Sequence, residues 1–305
     1  MLEDRIVYLN GEFLPWGQAT VHMMSHSFSR GSAIFEVLSL HETPSGPAVF
    51  RLDEHLDRFF RSAELLGMTI PSSKGVLGEA ISETVRKNGV REGTIKVLGY
   101  YSQVAFEILP PPQELDIAVF VVVPSEDLGG FKAPHSEGST LCVSKWRKLD
   151  PQTVPIEAKA AANYLNGMMA RKEALEKGFD FTVMLDTQGF LAEGGTESIF
   201  LVKDGVLLTP SEGTVLKSIT RKSIIEAGKT LGIEVREGRF PPELLQNAEE
   251  IFFSCTPMKV LPVKRCEERI LSPIPGAVTG RISALLNDIV AGKDERFAHW
   301  LFPVG

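Results

Sequence analysis

The sequence predicts an α/β (α+β) protein of two domains, and three observations predict it. Runs rich in β-branched and aromatic residues alternate along the chain with segments whose apolar residues recur at helical spacing. Near the middle, a stretch from Pro124 to Glu137 is rich in glycine, proline and polar residues and has no apolar period. At 305 residues the chain is long enough for one large domain or two ordinary ones, and folding would bury roughly 75% of its extended surface. The division that follows is an N-terminal α/β domain over 1–123, a linker over 124–137 and a C-terminal α/β domain over 138–305.

Taken in order, Ile6 to Leu9 reads as a strand ending in Asn10-Gly11, the dipeptide that accepts the positive φ angles of a tight hairpin. Ile34 to Leu40 and Ala48 to Leu52 are further β-rich runs. Asp53 then stands where it can cap a helix whose Leu56, Phe59, Phe60, Ala63 and Leu66 recur at helical spacing, with Gly67 to end it. Ser72 to Asn88 is a second helix stopped by Gly89, and Thr94 to Tyr101 and Ile117 to Val123 are strands. The last is apolar enough to be covered on both faces.

Past the linker come a strand over Leu141 to Trp146, a proline-rich loop and a helix from Ala161 to Lys177 ended by Gly178. Three strands follow, with turns at Gln188-Gly189 and Asp204-Gly205. Thr220 to Leu231 and Ala277 to Val290 are amphipathic helices, and Glu250 to Ser254 and Val260 to Val263 short strands. No period of 20 to 50 residues repeats, which excludes a solenoid or propeller.

Composition excludes whole classes of function. Lys plus Arg number 32 and Asp plus Glu 39, a net charge of −7 without long blocks of one sign, so nucleic acid is not the expected partner. The longest apolar run, Ile117 to Val123, is far short of the roughly 20 residues a membrane-spanning helix needs. The first residues carry no cationic and apolar leader, and the cytoplasm is the expected location. Cys142, Cys255 and Cys266 are odd in number and lack a C-x-x-C pair, so they read as reduced thiols and not as a disulfide framework or zinc site.

Phosphate-loop, dinucleotide-loop, zincin and nucleophile-elbow signatures are all absent. His22 and His26 stand four apart, but without helical period or a partnering acid or cysteine, and no metal site is expected. What stands out is Lys159, set among alanines in Ile156-Glu-Ala-Lys-Ala-Ala-Ala-Asn-Tyr-Leu-Asn just before a helix. Weakly polar surroundings disfavour the ammonium, and a neutral amine is a nucleophile that forms Schiff bases. Taken alone, the same lysine reads more readily as one that extends to solvent.

Seven segments in order then carry a resemblance over nearly the whole chain: Phe35-Glu-Val; Phe50-Arg-Leu with His55-Leu-Asp-Arg-Phe-Phe-Arg-Ser-Ala; Lys159 with Asn163-Tyr-Leu-Asn; Leu191-Ala-Glu-Gly with Glu197-Ser-Ile-Phe; Asp204-Gly-Val-Leu-Leu-Thr-Pro; Ile219-Thr-Arg; and Ser254-Cys-Thr with Pro262-Val. The chain resembles the class IV (fold type IV) aminotransferases dependent on pyridoxal 5′-phosphate, most of all the branched-chain amino acid aminotransferases. The resemblance implies two α/β domains with the cofactor in the cleft between them, the stretch from Leu128 to Glu137 beside the pocket, and a homodimer or higher homo-oligomer. It implies a small-molecule amino donor and a 2-oxo acid acceptor used in a ping-pong cycle.

Residue by residue, the resemblance makes Lys159 the catalytic Schiff-base lysine, which also carries the proton at the substrate Cα. Glu193 would meet the pyridine nitrogen and Tyr164 the phenolic oxygen of the cofactor. Arg58, the turn at Ile219 and Thr220, and Thr256 would hold the phosphate.

On the substrate side, implied for Arg30, Phe35, Lys96 and Pro257, three positions depart from the family. Arg30 stands where an aromatic is usual, Lys96 where branched-chain members carry arginine, and Pro257 where a small residue gives a backbone N–H to the substrate carboxylate. Proline has no such donor. The expectation is that Arg30 or Lys96 takes part of that task, and that the donor is branched-chain-like or atypical. D-amino acid or amine transamination, an aminodeoxychorismate-lyase-like elimination and a non-enzymatic relative are the alternatives.

Overall fold

Asn10-Gly11 does turn the chain. In the computed structural model, which describes residues 2–129 and 137–304, β1 (Ile6–Leu9) pairs antiparallel with β2 (Glu12–Pro15) across these two residues. Both take positive φ, 50° and 96°, as a type I′ turn requires. Helix α1 (His26–Arg30) follows, capped by the Ser25 side chain, which accepts from Phe28 N, and closed by left-handed Gly31. Five residues are too few to show a helical period, so the sequence does not reveal α1.

The first unit continues with β3 (Ala33–Thr43), β4 (Gly46–Phe50), α2 (Leu52–Leu65), α3 (Lys74–Asn88), β5 (Gly93–Tyr100), β6 (Asp116–Val122) and α4 (Pro124–Asp127). Leu56, Phe59 and Ala63 of α2 and Leu77, Ile81 and Val85 of α3 join Leu38, Ile95, Val97 and Val119 of the sheet in one buried cluster. Each large side chain there contributes on the order of 1.5–3 kcal/mol. That outweighs the exposed ion pairs Lys74–Asp57 and Arg86–Glu83, worth under about 1 kcal/mol apiece.

Two details differ from the sequence reading. Asp53 lies inside α2, where its charge favours the first turn, and the cap position belongs to left-handed Arg51, whose side chain makes no cap bond. The expected linker begins with α4, which carries Pro at its start. There Arg5 pairs with Asp127 at 2.9 Å and Glu126 at 3.1 Å. The part of the linker over 130–136 lies outside the described residues.

The second unit holds β7 (Ser139–Arg147), α5 (Tyr164–Glu176), β8 (Phe181–Leu185), β9 (Ser198–Lys203), β10 (Val206–Pro210), α6 (Ile219–Thr230), β11 (Val235–Gly238), β12 (Glu250–Ser254), β13 (Leu261–Cys266), β14 (Arg269–Ile270) and α7 (Ala277–Val290). Its sheet runs β11-β10-β9-β12-β13-β7-β8, with β14 on β13. β7 is parallel to both neighbours and β9 antiparallel to both of its own. Phe181, Val183, Ile199, Leu201, Ile251 and Phe253 form its buried core with Leu261 and Val263. The residues before α5, Ala161–Asn163, form a 3₁₀ turn, a common tightening at a helix start.

Finally β15 (Leu301–Pro303) pairs with β4 and completes the first sheet in the order β15-β4-β3-β5-β6-β1-β2. The units are therefore not contiguous in sequence: residues 158–162 and 288–304 pack with the first. The sequence division puts Lys159 in the domain 138–305, whereas in the structure its peptide is bonded to β3. Phe35 N donates to Lys159 O at 3.0 Å, and Ile34 bridges Ala160. No described helix is long and apolar enough to cross a membrane.

Candidate active site

β3 sends successive side chains to opposite faces. Phe35 is half-buried, while Glu36 is 1% exposed. Beside Phe35 lies Lys159, half-buried between the buried Ala158 and Ala160. Its Nζ is 4.8 Å from the Phe35 ring centroid, and Nζ of Lys96, from β5, is 5.6 Å from the same centroid. The Lys159 backbone is fixed at both ends, since its N–H donates to Ser62 Oγ at 3.0 Å and its carbonyl accepts from Phe35. Ser62 also donates to the Arg58 carbonyl, so the lysine hangs directly on α2.

On the other face, Glu36 accepts from Arg58 twice, Nε to Oε1 and Nη2 to Oε2, each at 2.7 Å, with His55 Nδ1 also 2.7 Å from Oε2. Burial alone would raise the Glu36 pKa, but the Arg58 charge and bonds and the His55 donor overcome it, and the carboxyl is lowered to about 2. Burial also lowers the His55 pKa, with the Arg58 and Lys159 charges adding to the effect against the pull of Glu36. Arg30 stands apart from this cluster, exposed at the end of α1, its Nη2 donating to the Phe106 carbonyl at 3.0 Å.

In the second unit Glu193 lies between β8 and β9, 8% exposed, with its carbonyl accepting from Met184 N at 2.9 Å. Lys148 Nζ is 2.5 Å from its Oε1. Sequence reasoning assigned Lys148 no role, because nothing local distinguishes it from the neighbouring Lys145 and Arg147. Tyr164 opens α5, and one turn on Gly167 meets the Glu193 loop so closely that a Cβ there would lie 2.2 Å from Gly195 O. Ile219 and Thr220 open α6, both buried, with Ser218 capping by accepting from Arg221 N at 3.2 Å. The first-turn amides of a helix have no acceptor within it and can meet an anion. Glu193, Ser198, Thr209 and Arg221 line one tightly packed cleft.

Thr256 and Pro257 lie in the turn after β12, closed by Lys259 N donating to Cys255 O at 2.7 Å. Thr256 is half-buried and Pro257 exposed. His22 Nδ1 accepts from Met24 N, and His26 is hydrogen-bonded to Ser32 Oγ and the Ile108 carbonyl. No cluster of three or more metal-ligating side chains occurs among the described residues.

The chemistry of these donors fits pyridoxal 5′-phosphate piece by piece. The first unit offers an amine on a fixed backbone, an apolar ring beside it and a guanidinium suited to phosphate. The second offers a buried carboxylate for a ring nitrogen, a phenol, first-turn amides and a threonine hydroxyl.

Residues 33–266 match the family model Amino-transferase class IV. A branched-chain-amino-acid aminotransferase of Salmonella typhimurium is 35% identical over 300 residues, covering 98% of this chain and 97% of that protein. One from Escherichia coli (strain K12) is 34% identical over 297 residues, covering 97% and 96%. The crystal structure of a T.th. branched-chain amino acid aminotransferase with pyridoxamine 5′-phosphate superposes with a TM-score of 0.94 at 33% identity, covering 100% of both chains. Match, identity and fold agree with the chemistry of the donors: the chain belongs to the class IV aminotransferases, enzymes of fold type IV that depend on pyridoxal 5′-phosphate.

Proposed function

We propose that this aminotransferase moves the amino group between a branched-chain amino acid and a 2-oxo acid by a ping-pong cycle. The observation that carries the reading is the Phe35 ring with the Lys159 and Lys96 amines 4.8 Å and 5.6 Å from its centroid. It sets an apolar wall for a hydrocarbon side chain beside a nucleophilic amine, with a second cation at hand for a carboxylate. The names of the relatives at 35% and 34% identity support the same donor class.

When bound, pyridoxal phosphate supplies an aldehyde that takes up amino groups and an electron-poor ring that withdraws charge from the carbon beside it. The chain's residues do the rest. Lys159 Nζ, held by Ser62 and Phe35 through its backbone, takes the proton from the substrate Cα and returns it. Glu193 would meet the ring nitrogen, with Lys148 Nζ paired to its Oε1. Tyr164 bonds the phenolic oxygen. Arg58, the amides of Ile219 and Thr220, and Thr256 bind the phosphate. Arg30, Phe35, Lys96 and Pro257 border the substrate, and because Pro257 cannot donate, Arg30 or Lys96 takes part of the carboxylate's binding. A homodimer and a cytoplasmic location complete the reading; cell fractionation checks the last.

The test is a half-reaction. Purified protein loaded with pyridoxal phosphate is mixed with single L- and D-amino acids and chiral amines while its visible absorption is followed. L-leucine, L-isoleucine and L-valine are expected to bleach the visible band. Silence toward all three, with a response to D-amino acids, acidic donors or amines, rejects the branched-chain assignment.

A further inference from the structure

Arg58 is read above as a phosphate ligand, and the following rests on that reading. We infer that Glu36 and His55 are positioning residues that fix the plane of the Arg58 guanidinium, and through it the place where the cofactor phosphate is held. An arginine on a helix has several rotatable bonds, and an anion that must first order them binds more weakly than one that meets a fixed fork.

Here the fork is fixed from behind. Glu36 takes Nε on one oxygen and Nη2 on the other, both at 2.7 Å, the parallel pair that sets a guanidinium in a single plane. His55 sits one turn before Arg58 on α2, on the same face, and its Nδ1 is 2.7 Å from the Glu36 oxygen that takes Nη2. His55 and Glu36 are 2% and 1% exposed. Leu38, Leu56, Phe59, Leu77, Ile81 and Val97 line the small cavity around them, so no other charge competes for the carboxylate on that side. Burial and the nearby cations keep the imidazole neutral, so it donates through Nδ1 and leaves Glu36 a full anion for Arg58. The sequence holds both residues, in Phe35-Glu-Val and in His55-Leu-Asp-Arg, with nothing to show that they meet.

Binding of pyridoxal 5′-phosphate and of pyridoxal to the cofactor-depleted full chain tests this, because only the first has a phosphate to place. Glu36→Gln and His55→Leu are expected to weaken pyridoxal phosphate about 10- to 100-fold, by analogy with the loss of a hydrogen-bond partner behind a metal ligand, and to leave pyridoxal unchanged. His55→Asn restores a donor at the Nδ1 position and is expected to bind within about threefold of the parent. Equal weakening of both ligands, or none, in folded Glu36→Gln and His55→Leu overturns the inference. Should Glu36→Gln not fold, the His55→Leu and His55→Asn pair decides it. Arg58→Ala separates the levels. If that variant keeps the parent's preference for the phosphorylated ligand, the phosphate reading falls and this inference with it. If it loses the preference while the Glu36 and His55 variants keep it, the positioning role alone falls.

Discussion

Arg30 spends its charge on a neutral acceptor, the Phe106 carbonyl at 3.0 Å, while remaining exposed. Such a bond is easily exchanged, because water can replace the carbonyl and a carboxylate offers the guanidinium a charge-assisted partner. Lys96 differs in kind, since its ammonium is a compact charge without a planar fork. Arg30→Ala should therefore raise KM for the amino donor about 3- to 10-fold, the size of one solvent-screened hydrogen bond of about 0.6–1.4 kcal/mol, with cofactor content unchanged. A KM equal to that of the parent would remove Arg30 from substrate recognition. The residues proposed for the cofactor can be picked out of the sequence because their chemistry is tied to local motifs. Their partners cannot: Glu36 meets Arg58 across 22 positions and Lys159 meets Ser62 across 97.

Helix α5 owes its place to a contact between two glycines. A Cβ on Gly167 would stand 2.2 Å from Gly195 O and 2.9 Å from Gly195 C, backbone atoms with no rotamer to escape into. Helix propensity alone favours alanine over glycine by about 1 kcal/mol, so the two effects oppose each other and steric contact wins. Gly167→Ala should lower Tm by several degrees and shift the visible absorption of the bound cofactor, because the Glu193 loop is pushed away from the helix that Tyr164 opens. Gly75→Ala in α3, whose Cβ would meet only Ser73 Oγ at 3.9 Å, is the control and should hold or raise Tm. Equal Tm for both variants would refute the argument. Helix α7, fourteen residues long, has the bounds its helical period predicts, and β1 and β12 have the bounds that their run of β-favouring residues predicts. α1, α4, β14 and β15 escape because two to five residues cannot display a period.

Across the molecule, the least expected feature is the apolar surface of the first unit. Phe28, Phe106, Ile108 and Leu109 are 69 to 79% exposed, and Leu9, Val21, Phe28, Leu98 and Phe120 line a groove of about 230 Å³ in the same unit. The sequence offers no sign of it, because residues 104–109 carry neither period nor cap and read simply as loop before three prolines. Monomers seldom leave large apolar side chains clustered in water, and one chain here carries both projecting side chains and an apolar groove, as the self-complementary face of a twofold dimer requires. The loaded enzyme should run at twice the chain mass in light scattering. Replacing both Phe106 and Ile108 by Asp removes roughly 1.5–3 kcal/mol of burial per side chain from each copy and sets four carboxylates in the interface. The double variant should run at the mass of one chain with its circular dichroism unchanged. A parent protein already at the mass of one chain would show that this surface serves something other than a second copy.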